Sequence, residues 1–447
     1  MTNFLKAFVL INLSFLILNC SFKNTGYFDD RLEELEKEIA EKNSRLVFTK
    51  RIEFREEIKG NTQRKISSPI TNKYWLQKNF TYNNYIPNLT YENKNELYYK
   101  SKKIGKNKFN TINSFFEPIV FDNNIFFYDP SGNIFSFSVE RRKLIWKFNF
   151  YKKRYKEIPI NINLKISNNK LIVSDNLGYG YSLDVETGNL LWAKNYGVPF
   201  ISSIKIIDNK VFLLNQDNKF YTINENNGEE NLSLETFPSL LKTNQETSLS
   251  LNPLTKNLYF ITSSGQLYSI NYDTKNINWL LNISIESQSS TDLFFSSPLV
   301  SVDNKIFFSS SVFTYCIDAR SGQVKWRLPF STYIRPIVSQ NYVFLASKDG
   351  FILNIDNETG KVLWSKNMYK ITKKIKEKKV GFIRSLLLVS DQILVTTSKG
   401  YFIFLDYKNG NIVNYTRASK SGFFSNPILV NKKIYALDNK IRVLIFK

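Results

Sequence analysis

Histidine is absent from this 447-residue chain, and cysteine occurs only as Cys20 and Cys316. Without histidine there is no imidazole to act as general base, triad member or metal ligand. Two cysteines allow at most one disulfide and cannot build the metal clusters that need several Cys or His. Long apolar runs are missing as well: the strongest, residues 7–18, is too short for a comfortable membrane span. Acidic residues are outnumbered, 39 Asp plus Glu against 61 Lys plus Arg. That imbalance favours anionic headgroups, acidic proteins or nucleic acid as partners. A genome rich in A and T raises Lys together with Asn, Ile and Phe, so the charge alone assigns no partner.

What the chain does contain is a hydrophobic fraction of 43% and an aromatic fraction of 15%, enough for a packed interior. The emphasis on Phe, Tyr and Ile favours pleated strands over helices.

The N-terminus reads as an address. Lys6 precedes the apolar run, which ends in Ile17-Leu18-Asn19-Cys20. These are the proportions of a signal-peptide core, and the last four residues resemble a bacterial lipobox, with Asn19 where a small residue is usual. On this reading residues 1–20 are a lipoprotein signal peptide and Cys20 is lipidated. Only Cys316 then remains as a thiol, no disulfide forms within the chain, and export argues against nucleic acid. An uncleaved anchor, or an ordinary signal peptide with an incidental cysteine, shares the pattern.

Residues 21–92 show no sustained alternation, are rich in Asn, Lys and Thr, and read as a tether. Within it, Asp30-Arg31-Leu32-Glu33 has capping-box spacing, and Leu32, Leu35, Ile39 and Leu46 recur at heptad-like intervals. This predicts a short amphipathic helix over about 30–44, acidic in an otherwise basic chain. It either docks on a partner or on the protein's own basic face, or serves as a solvated spacer.

The body of the chain repeats. The clearest copy is Tyr181-Ser-Leu-Asp184-Val-Glu-Thr187-Gly188-Asn-Leu-Leu-Trp192. It recurs around Asp318, Gly322 and Trp326 and around Asp356, Gly360 and Trp364, with weaker copies ending at Trp146, Leu232, Trp279 and Asn414. Units open on extended runs that often start at proline, and Pro118 to Pro427 spans 309 residues over seven intervals, about 44 per unit. That period, filled with short alternating runs, predicts an all-β, eight-bladed β-propeller of four-stranded antiparallel blades over residues 93–447. The repeated residues have mechanical work: Asp and Thr or Ser accept turn N–H groups, Gly supplies a positive φ, and Trp wedges against the neighbouring blade. The eighth unit supplies only three strands. Leu97-Tyr98-Tyr99-Lys100 near the start of the domain is the expected fourth, closing the ring and removing its open edges.

These copies resemble the quinoprotein-type (PQQ-like) propeller repeat, and residues 93–447 resemble BamB-like lipoproteins of outer-membrane β-barrel assembly, especially at Ser421-Gly422-Phe423-Phe424-Ser425-Asn426-Pro427. The resemblance implies a non-enzymatic scaffold without cofactor or metal, anchored by lipid in the outer membrane and facing the periplasm. It further implies a monomer within a complex, bound to a BamA-like assembly barrel and its associated lipoproteins through inter-blade loops. Pro238-Ser239-Leu240-Leu241-Lys242 is similar to the family's contact loop, one residue shorter and with Lys for Arg. Asp292 lies near its second acidic contact, although the family's aspartate pair is not kept. These residues are the expected partner-binding set. Enzymes that share the repeat use a vicinal cysteine pair and a calcium-binding acidic cluster, and the blades offer neither.

In a propeller the D-x-x-T-G turns and the blade-to-blade connectors leave by opposite rims. Here the turns are uniform, whereas the connectors 151–158, 237–246, 284–297 and 369–380 are long and varied. The connector rim is therefore the expected working face. It is basic at Lys152, Lys153 and Arg154 and again at Lys373, Lys374, Lys376, Lys378 and Lys379, and apolar at Leu240 and Leu241. Such a face suits an acidic protein or anionic headgroups. The alternative is a surface-exposed lipoprotein binding host or matrix polyanions through the same basic face; Lys-rich loops also simply keep a surface soluble.

Overall fold

The computed structural model describes residues 53–62, 64–109, 116–151, 155–236, 242, 246–283 and 294–447. Cys20 and the helix expected over 30–44 lie outside them. Eight four-stranded antiparallel sheets form the blades of a propeller. Blades 1 to 7 occupy residues 119–149, 162–195, 205–234, 249–282, 300–328, 337–367 and 383–417. Blade 8 takes three strands from residues 428–446, and its outer strand is Leu97–Lys100, antiparallel to Val443–Phe446. The ring closes as the sequence predicts.

Each blade is built by the same local rules. Except in blade 4, where Pro253 to Lys256 make a longer connection, the first and second strands join through two-residue turns such as Asn168-Asn169, both at positive φ, the hairpin geometry that suits Asn and Asp. Between the third and fourth strands, Asp184 Oδ1 accepts the N–H groups of Glu186 and Thr187 at 3.1 and 2.8 Å and the Thr187 hydroxyl at 2.8 Å. These bonds hold its carboxyl below the usual range. The pairing slips by one residue beside this turn, between Ser182 and Leu183, and slips at the matching place in blades 1 to 7. Inner strands are buried, while outer strands such as Leu190–Asn195 are largely exposed.

Blades lock to one another through the repeat tryptophans. The indole Nε1–H of Trp146, Trp192, Trp279, Trp326 and Trp364 each donates to a carbonyl in the turn of the next blade, at 2.8 to 3.1 Å. Apolar clusters fill the wedges between sheets; Tyr259 and Leu267 of blade 4, for example, cluster with Ile306 and Phe308 of blade 5.

Residues 53–92, expected as the distal part of a tether, are instead packed on the ring. Ile58 exchanges both backbone hydrogen bonds with Ser365 on the outer strand of blade 6 (3.2 and 3.0 Å), and Thr62 N–H reaches Lys408 O at 2.9 Å. The chain then plugs the axial channel. Asn72 donates to Leu429 O of blade 8 at 2.8 Å, and Trp75 exchanges bonds with Val120 of blade 1 at 2.8 and 2.9 Å. Leu76 O accepts from Ile166 of blade 2, and Leu89 N–H donates to Leu388 O of blade 7. The cause is a property of every propeller: inner strands turn a free edge of N–H and C=O groups toward the axis, and those groups require partners. A polar, non-alternating segment rich in Asn supplies them.

Candidate partner-binding face

The inner strands begin on the connector side, and there the axis opens into a funnel of about 1010 Å³. Its floor is the tip of the plug, Lys78 and Asn79. Its walls are the residues leading into the inner strands, which place Glu117 at blade 1, Glu246 before blade 4, Arg335 before blade 6 and Arg384 in blade 7. Glu117 accepts Trp75 Nε1–H at 3.2 Å and Asn79 N–H at 2.8 Å. Burial pushes its carboxyl above the usual range, against the pull of Arg335 and these bonds. Glu246 is ion-paired with Lys78. Arg335, only 8% exposed, is brought down to about 10 by burial, with Glu117 opposing; burial does the same to Arg384, which bonds Phe423 O and, at 3.4 Å, Phe424 O. At the mouth, Lys348 Nζ stands 4.6 Å from the Phe382 ring centroid.

Beside the funnel the connector of blade 6 is folded rather than loose. It contains two short helices, Met368–Ile371 and Glu377–Val380. Asn367 caps the first by accepting Tyr369 N–H at 3.0 Å. Met368, Tyr369, Ile375 and Val380 are buried, and Tyr369 OH donates to Gly381 O at 2.9 Å. Lys373, Lys374, Lys376, Lys378 and Lys379 all project from this pinned loop into solvent. Lys376 Nζ also donates back to Tyr369 O at 2.9 Å.

The other expected site residues fall out differently. Lys242 is exposed and pairs with Asp217 at 2.6 Å, so its charge is already partnered. Lys152, Lys153, Arg154, Leu240, Leu241 and Asp292 lie outside the described residues. Asp184, Asp318 and Asp356, with Gly188, Gly322 and Gly360, lie in the turns between third and fourth strands, and none of them lines the funnel. The funnel charges were missed by sequence reasoning, yet a signal exists. Residues preceding the unit-opening prolines are neutral at Ile158, Val198, Ser297 and Asn426 but charged at Glu117 and Arg335.

The family model described as outer membrane protein assembly factor BamB matches residues 130–366, more than half of the chain. The chain belongs to the BamB family. The BamB of Shewanella oneidensis is 22% identical over 333 residues, covering 71% of this chain and 80% of that one. The BamB of Moranella endobia is 20% identical over 304 residues, covering 62% and 73%. Among solved structures, BamB from Moraxella catarrhalis superposes with a TM-score of 0.60 at 15% identity, covering 74% of this chain and 96% of that one. A europium-containing methanol dehydrogenase superposes equally well (TM-score 0.61, 12% identity, 81% and 89% covered), a likeness of fold alone. The residues here do not fit a quinone and its cation: the two carboxylates that line the funnel among the described residues are already engaged, and Cys316 is buried with no cysteine beside it in the sequence.

Proposed function

We propose that this BamB-family chain is an exported, lipid-anchored scaffold of outer-membrane β-barrel assembly, and that it performs no catalysis itself. It docks a BamA-like assembly barrel and its associated lipoproteins in the periplasm through the connector rim. The observation that carries this reading is the difference between the two rims. One is a set of near-identical turns whose polar groups are satisfied internally. The other bears a pinned loop with six exposed lysines, Lys370 in addition to the five named above, beside a charged, aromatic-lined funnel. Cations held in a set place steer an acidic partner and fix its orientation more than they add affinity. In the proposal, Lys152, Lys153, Arg154, Leu240, Leu241, Lys242 and Asp292 complete the face, and Cys20 carries the lipid.

A tagged chain recovered from detergent-solubilised envelopes is expected to bring the assembly barrel with it. Recovery of no barrel-assembly component overturns the reading. Combined Lys373→Glu, Lys374→Glu, Lys378→Glu and Lys379→Glu is expected to reduce that recovery, and Cys20→Ser to move the chain out of the membrane fraction.

A further inference from the structure

The funnel is blind. Lys78 and Asn79 close it from below, and the plug behind them is bonded to the inner strands. A through-running strand cannot pass, but the end of a chain can enter. Its wall holds a fork of donors that the protein itself uses little. Arg335 makes one hydrogen bond, Nη1 to Pro336 O at 3.2 Å, and no ion pair among the described residues. A guanidinium carries five N–H donors arranged to grip a carboxylate, and no nitrogen of Arg335 is sealed off without a partner, so its remaining donors can be reached from the funnel that it lines. Among the described residues four cations line the funnel, Lys78, Lys348, Arg335 and Arg384, against two carboxylates, Glu117 and Glu246. That modest excess suits one negative charge better than a polyphosphate. Around it the walls are apolar and accessible: Ile158 and Tyr333 are 44% and 46% exposed, with Phe382 between blades 6 and 7.

We propose that the axial funnel binds the free C-terminus of a polypeptide partner, with its terminal carboxylate on Arg335 and Arg384 and its last apolar side chains against Ile158, Tyr333 and Phe382. An N-terminus would bring an ammonium among cations, and an amidated end would leave the fork unpaired. The recognised chemistry is a carboxylate on an apolar body, which a small organic acid also offers, so the test separates the two sources.

The purified full chain in detergent is titrated against a dye-labelled short Gly-Ser peptide ending in Val-Phe, made once with a free carboxylate and once as the amide, and read by fluorescence anisotropy. The free acid is expected to bind at least about tenfold more tightly than the amide. Arg335→Met is expected to erase that difference, and Lys348→Met, a surface change that leaves the core alone, to weaken the acid several-fold. Equal binding of acid and amide, or indifference to Lys348→Met where Arg335→Met does not fold, overturns the proposal. So does competition-grade binding of benzoate without binding of the peptide, which assigns the site to small acids. The measurement needs no assembly barrel, so its failure and the failure of the scaffold reading are separately visible.

Discussion

Gly188 of blade 2 lies flat against the indole of Trp146 in blade 1: a Cβ at Gly188 would stand 2.6 Å from Trp146 Cδ2. The same contact recurs between Gly228 and Trp192, Gly322 and Trp279, Gly360 and Trp326, and Gly410 and Trp364. Blade 3 carries Leu232 in place of Trp, and the facing turn of blade 4 carries Lys275 at φ 65° in place of Gly. Ring and glycine are thus lost together. Gly188→Ala, strained at φ 73° as well as crowded, is expected to cost about 1–3 kcal/mol. Lys275→Gly should change stability by no more than about 1 kcal/mol. Urea midpoints of the two variants decide the comparison.

Asn84 is the pin of the axial plug. Fully buried, it donates to Ser248 Oγ, Leu249 O and Leu299 O at 3.1, 2.8 and 2.7 Å and accepts Lys205 Nζ at 2.6 Å. Asn84→Ala removes a partner from two carbonyls and leaves the Lys205 ammonium its bond to Thr81 O at 3.0 Å, at about 1–3 kcal/mol for each group left unpaired. Amide exchange should accelerate across residues 70–91 before it accelerates in the blades. Uniform protection of that segment in the variant would show that the plug does not depend on this residue.

Lys205 should make stability depend on pH. Burial, helped by the charge of Lys165 and opposed by Glu117 and Glu246, lowers its pKa from about 10.5 to about 7 in the folded chain. The unfolded chain therefore binds more protons between those values, and folding becomes more favourable as pH rises through that window. Below about pH 7 the penalty is complete. Relative to Lys205→Met, the wild-type denaturation midpoint should climb from pH 7 toward 10, and parallel curves would refute the assignment.

Cys316 is buried in blade 5, and desolvation pushes its thiol up to about 12. The thiolate is the reactive form. At pH 8 the peptide containing Cys316 should stay unlabelled by maleimide in the native chain and label fully after denaturation, as read by mass spectrometry.

Much of this architecture was legible before any coordinates. The period of about 44, the prolines ahead of the inner strands, the Asp and Gly of the turns and the Trp of the outer strands are local signals repeated often enough to reinforce one another. Even the closing strand Leu97–Lys100 followed from counting, because the last unit lacked one strand and a ring without open edges needs it. The plug was not legible. Its bonds run from single residues such as Asn72 and Asn84 to carbonyls 357 and 165 positions away, and no periodicity records such pairings.

The sequence by itself determined the blades, their number and the way they lock, since each of those depends on residues close together in the chain and repeated along it. Only the tertiary structure decided that residues 53–92 belong to the ring, that Lys242 is paired with Asp217, and that Glu117, Arg335 and Arg384 share one funnel. Closure brings inner strands from opposite ends of the chain around a single axis, and the charges that meet there are neighbours in space alone.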